Sequence, residues 1–121
     1  MEKLKRISFI LLVVAAACGQ AIPKLEDIDQ RQWKDDKNGC AGKRTTMTEA
    51  LQRQATALQG LSEMQIIDLL GRPDQNELYS RNQKFYVYFL EPGKACGKEM
   101  DGHKLSIRFN ATGLAKEVVV E

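Results

Sequence analysis

The chain has 121 residues, with 18 lysines and arginines against 16 aspartates and glutamates, a formal charge of +2. That length holds one domain at most, and so small a net charge excludes the basic footprint of a nucleic-acid-binding protein. Three cysteines and one histidine bound the redox and metal chemistry that is open to it.

The N-terminus reads as a targeting segment. Lys3, Lys5 and Arg6 form a basic n-region, and Ile7–Ala17 is an apolar run of eleven residues. Such a run is too short to span a bilayer but suits the h-region of a signal peptide. Ala15, Ala16 and Ala17 then precede Cys18, an order that resembles a bacterial lipobox, in which the cysteine thiol carries diacylglycerol and the chain is cut before it. Residues 1–17 are thus expected to be a lipoprotein signal peptide and Cys18 the lipid attachment site, with palmitate among its acyl chains. Removing Lys3, Lys5 and Arg6 from the 18 basic residues and Glu2 from the 16 acidic ones leaves fifteen of each, so the mature chain is neutral. With Cys18 lipidated, Cys40 and Cys96 remain, and in an oxidising periplasm they are expected to pair.

Residues 18–32 mix a proline, charges and glutamines with few large apolar side chains, and read as a flexible tether. The domain proper is placed at 33–121. Trp33 opens the stretch WKDDKNGCAGKR, a turn cluster in which Asx chemistry explains the aspartates and asparagine better than an incomplete calcium loop does. Thr46 and Glu49 suggest a capping box for a helix over Met47–Gln59, closed by Gly60. In LSEMQIIDLLGRPD, Ser62 and Gln65 suggest a second capping box, Met64, Ile67 and Leu70 an apolar stripe widened by Ile66 and Leu69, and Gly71 and Pro73 a stop.

After Pro73 the periodicity becomes two. Asn76–Ser80 predicts a polar edge strand turned by residues 81–83, and Lys84–Leu90, apolar on both faces, a central strand covered on both sides. A glycine-rich loop with Cys96 follows. Lys104–Phe109 alternates, with Leu105, Ile107 and Phe109 facing in, and Leu114–Val120 returns beyond the turn at 110–113. The expected architecture is α+β: a two-helix pair on one face of a four-stranded antiparallel meander. LLGRPD, a polar strand, the aromatic YVYF and a strand ending in FNATG together resemble the SmpA/OmlA-like small lipoproteins of the bacterial outer membrane. The resemblance implies lipid anchoring at the outer membrane, facing the periplasm, and for some members support of the machinery that inserts β-barrel proteins. The cysteine pair and the Trp33 block depart from that pattern and suggest a separate branch.

Catalytic constellations are missing from the sequence: His103 has no partner signal, the acidic residues are dispersed, and no glycine-rich phosphate loop opens a helix. No cofactor, metal, nucleic acid or small-molecule substrate is indicated, and a non-enzyme is expected. What remains is surface. Trp33, Tyr86 and Tyr88 are the candidate partner-facing residues, unless the chain's own N-terminal segment closes the tyrosine face. Arg72 and Asp74 are weaker candidates, with turn and capping roles as the simpler reading. The functional classes are a protein-binding or envelope-assembly module, an inhibitor-like module presenting its sheet to an envelope enzyme, and a thiol-redox sensor. Replacing Cys18 with Ala should abolish incorporation of labelled palmitate and release the protein from the membrane fraction. An unlabelled variant still retained by membranes would overturn the lipid anchor.

Overall fold

In the computed structural model, which describes residues 20–79 and 83–121, helices α1 (Gln30–Asp35), α2 (Lys43–Gln54) and α3 (Glu63–Leu70) precede a sheet of four strands. These are β1 (Gln75–Tyr79), β2 (Gln83–Phe89), β3 (Lys104–Phe109) and β4 (Ala115–Val120), antiparallel and in the order β1-β2-β3-β4. The expected α+β meander is therefore present, with one short helix more than the expected pair. The signal segment 1–17 and Cys18 lie outside the described residues, as do residue 80 and most of the predicted turn at 81–83.

α3 forms as its sequence dictates. The Ser62 hydroxyl accepts from the Gln65 amide while the Gln65 side chain accepts from the Ser62 amide, closing the capping box. Its buried stripe is Ile66, Leu69 and Leu70, whereas Met64 is 74% exposed. Met64 lies two residues before Ile66, hence about 200° around the helix, on the far side. Gly71 ends α3 at φ 78°, ψ −175°, a glycine-only conformation but an extended one rather than the expected left-handed turn.

α2 corrects the cap expected at Thr46 and Glu49. It begins at Lys43, so Thr46 lies inside the first turn, its hydroxyl donating to the Lys43 carbonyl. The N-terminal amides are capped instead from a distance by Asp36, which accepts from Ala41 N–H at 2.6 Å and Arg44 N–H at 2.9 Å. A cap eight residues away leaves no local spacing signature. Met47, Ala50 and Leu51 are buried as expected, and a 3-10 turn over Ala55–Leu58 carries the chain to Gly60 at φ 85°.

The tether reading fails for 20–32. Leu25 and Ile28 are buried in the core, and Gln54 makes a reciprocal pair of hydrogen bonds with the backbone of Glu26. The Gln65 side-chain amide also donates to the Gln20 carbonyl at 2.6 Å. Two well-spaced apolar residues with side-chain amides to satisfy the backbone are enough to hold a segment that composition alone marks as a linker. From Asp29, whose carboxylate caps Arg31 and Gln32, the chain enters α1.

The core lies between the helices and the sheet face bearing Tyr86, Tyr88, Leu90, Leu105, Ile107 and Phe109. Trp33 is fully buried there, its ring 6.2 Å from that of Tyr88. Beside it lies Arg44, only 1% exposed, with its guanidinium carbon 5.0 Å from the Trp33 ring centroid and 5.9 Å from that of Tyr88. Arg44 donates to the Asp74 carboxylate at 2.6 Å and to the carbonyls of Trp33 and Phe89 at 3.0 and 3.1 Å. Asp74 also accepts from the amides of Asn38 and Phe89. So Asp74 is a buried acceptor joining three separate segments rather than the local turn or capping residue expected, while Arg72 is exposed.

Cys40 and Cys96 are disulfide-bonded, with Cα atoms 5.5 Å apart, joining the turn after α1 to the 3-10 turn Lys94–Cys96. Gly39 makes that docking possible. A Cβ there would lie 2.9 Å from the Glu91 nitrogen and 3.0 Å from the Phe89 oxygen, and φ is +67°. Closing a loop of 56-residue separation contributes about 4 kcal/mol by chain entropy. Reduction should therefore lower the Tm by about 10 °C or more in a domain this small, and thiol titration of the denatured, unreduced Cys18→Ala protein should find no free thiol. Arg44→Met should cost about 3–5 kcal/mol in urea denaturation, because it strands the Asp74 carboxylate, and adding Asp74→Asn should recover part of that loss.

Candidate interaction face

Alternation along the strands sorts side chains into a closed and an open face. The register pairs Phe85 with Arg108, Val87 with Ser106 and Phe89 with Lys104 across β2 and β3, and Glu77 with Phe85 across β1 and β2. These residues share the face opposite the helices. It is hollowed by an open groove of about 360 Å³ lined by Glu77, Tyr79, Gln83, Phe85, Val87, Lys104, Ser106 and Glu121.

The choice of candidate partner-facing residues is thus corrected. Tyr86 and Tyr88 face the helices at 4% and 0% exposure, and with the buried Trp33 they are core residues rather than partner-facing ones. The alternative, closure of the tyrosine face by the chain's own N-terminal segment, accounts for Trp33 packed on Tyr88. β2 is buried on both faces from Tyr86 to Phe89, as its sequence predicts. Val87 and Phe89 are buried, but they stand outside the main core, and Val87 forms the groove floor.

Each inward tyrosine has its hydroxyl satisfied, which is what allows it to be buried. Tyr88 donates to the Gly71 carbonyl at 2.8 Å, and burial raises its pKa far above the ordinary value. Tyr86 donates to Glu63 at 2.8 Å, and burial together with that carboxylate pushes its pKa up to about 12. Partial burial opposes ionisation of Glu63, but the hydrogen bonds from Lys84 (2.9 Å) and Tyr86 outweigh it and hold the carboxyl below its usual range. This triad fastens the start of α3 to β2.

The open face is polar at its rim and apolar at its centre. Tyr79 meets Phe85 edge-to-face with centroids 5.0 Å apart, and its hydroxyl donates to Glu77, which raises the Tyr79 pKa. Arg108 pairs with Glu117, and Lys104 lies 3.8 Å from Glu121. Val119, opposite Ser106, remains 42% exposed. At the sheet end, exposed His103 approaches Glu91 at 3.2 Å, and that hydrogen bond lowers the Glu91 pKa.

Tyr79 and Phe85 were not singled out in the sequence, although a signal was there. Lys104, Ser106 and Arg108 are the polar side of a cleanly alternating strand, so whatever pairs opposite them shares the solvent side. Among the described residues no group of three or more histidine, cysteine or acidic side chains is placed to hold a metal ion, and no helix is long and apolar enough to cross a membrane. The Asp36 carboxylate of the DDKNG loop is occupied by backbone amides. No protein-family profile, curated protein or solved structure matches the chain.

Proposed function

We propose that the protein is a lipid-anchored periplasmic module of the bacterial outer membrane that binds another envelope protein, without catalysis, through the open face of its sheet. The observation that carries this reading is the groove itself. Phe85, Tyr79 and Val119 leave apolar surface in water on a face whose rim is charged, the composition of an interaction site rather than of an inert surface. The n-region, h-region and AAAC order support the anchor, and the likeness to SmpA/OmlA-like lipoproteins supports envelope assembly as the setting. An envelope enzyme inhibited by the same face is the second form this reading takes, since an enzyme is also a protein partner.

A photo-crosslinking amino acid placed at Phe85 or Ser106 in the native envelope should yield a discrete crosslinked partner. Placed at Met64, exposed on the helical side, it should not. Equal crosslinking from Met64, or none from either sheet position, would overturn the assignment of the face.

A further inference from the structure

Among the described residues, β1 is an edge strand that lacks the usual defences. Edges are ordinarily blunted by lysine, proline, a bulge or a covering segment. Gln75–Tyr79 (QNELY) has no basic residue and no proline, and its register with β2 runs unbroken from Gln75↔Val87 to Tyr79↔Gln83. The opposite edge is protected. The β3–β4 register shifts at Arg108/Phe109, and the start of β4 is bonded by the chain's own 60–62 segment, through Gly60 N–H to the Ala115 carbonyl, Ala115 N–H to the Leu61 carbonyl and a bridge between Ser62 and Leu114. β1 moreover leaves large apolar side chains in water on both its faces, Leu78 at 73% and Tyr79 at 53% exposure.

Charge and size select the occupant. A second copy pairing antiparallel about the middle of β1 would set Glu77 against Glu77, and like charges directly opposite are destabilising. Four strands about 4.8 Å apart, averaging six residues, present roughly 390 Å², well under the ~800 Å² per side of a stable complex between folded proteins. An extended segment needs no such area, because its backbone bonds to the edge. Glu77 is the one charge on β1, and among the described residues it accepts from Tyr79 and joins no ion pair.

We propose that β1 takes up an extended segment of a partner protein as a fifth strand, with a basic side chain beside Glu77 and an apolar one in the Tyr79–Phe85–Val87 groove. This rests on the open face being the interaction face and adds the chemistry of what it receives. Alternation in the incoming strand places residues i and i+2 on the groove side, and residue i+1 over Leu78. The backbone supplies affinity, and the paired lysine or arginine with its apolar neighbour supplies selectivity.

The test uses full-length, ¹⁵N-labelled protein in mild detergent and two synthetic decapeptides of alternating valine and threonine. One carries a central lysine with a phenylalanine two residues away, and the other replaces the lysine by glutamate. Amide shifts should concentrate in β1 and the facing half of β2, with the lysine peptide bound roughly tenfold more tightly. Glu77→Lys should reverse the preference and Glu77→Gln should abolish it, the spectra themselves reporting that each variant is folded. Equal affinity for the two peptides, or shifts centred on the helices, would refute strand addition. So would β1 shifts that appear on raising the protein concentration alone, which would make the occupant a second copy. Crosslinks from Phe85 and Ser106 without any peptide effect would leave the face as an interaction site and remove only the added strand. Loss of both would remove the functional reading as well.

Discussion

A guanidinium withdrawn from water is the constraint on which this fold turns. Leaving Arg44 buried without partners would cost several kcal/mol, so every arrangement of the chain that buries it must also bring its partners. Those partners come from separate places: the Trp33 carbonyl at the end of α1, the Asp74 carboxylate before β1, and the Phe89 carbonyl at the end of β2. The rings of Trp33 and Tyr88 flank the charge. Against an apolar equivalent such a pair adds little net stability. What it provides is selectivity, since only one relative placement of α1, α2 and the sheet satisfies the charge.

The same point fixes the orientation of the sheet. Asp74 bonds the Asn38 and Phe89 amides as well as Arg44, so the start of β1, the turn after α1 and the end of β2 meet at one carboxylate. The disulfide closes the turn after α1 onto the 91–103 loop from the other side, the Cys96 sulfur lying 3.5 Å from the Asn38 carbonyl. With that end clamped and Trp33 laid on Tyr88, the tyrosine side of β2 must face the helices. Phe85 and Val87 are left on the side of Lys104, Ser106 and Arg108.

Local signals in the sequence were legible and long-range ones were not. The Ser62–Gln65 box, the limits of β3 and the turn at 110–113 each rest on residues within a few positions of one another, and each formed. The Cys40–Cys96 pairing was legible by another route, because the expected lipidation of Cys18 leaves two cysteines with no other assigned use. Thr46 and Glu49 carried an equally good local pattern, yet Asp36 took the cap from eight residues away. Arg44 stands in a run of polar residues (GKRTT) that reads as a solvated helix start, and nothing local marks it as buried. Leu25 and Ile28 were likewise hidden in a hydrophilic stretch. The mistaken face of β2 is a different case. The strand is apolar on both sides and cannot orient itself, whereas β3 alternates and can, and the pairing between them carries the answer across.

The two ends of β1 are therefore held differently. Its first end is held by Asp74, whose amide bonds the Val87 carbonyl and whose side chain reaches Arg44 and Phe89. Its last end, roughly four residues and ~13 Å away, has among the described residues only the Tyr79–Glu77 hydrogen bond and the Tyr79–Phe85 ring contact beyond the ladder itself. Opening free energy falls where buried contacts thin out, so the clamp sets the register of β1 without stiffening its outer end. An anchored strand with an unguarded edge can accept new backbone partners without disturbing the core, because the residues that would move are not those that hold Arg44. The fold concentrates its buried polar bonds at one end of the sheet and leaves apolar surface exposed at the other, and that separation is what the proposed recognition would use.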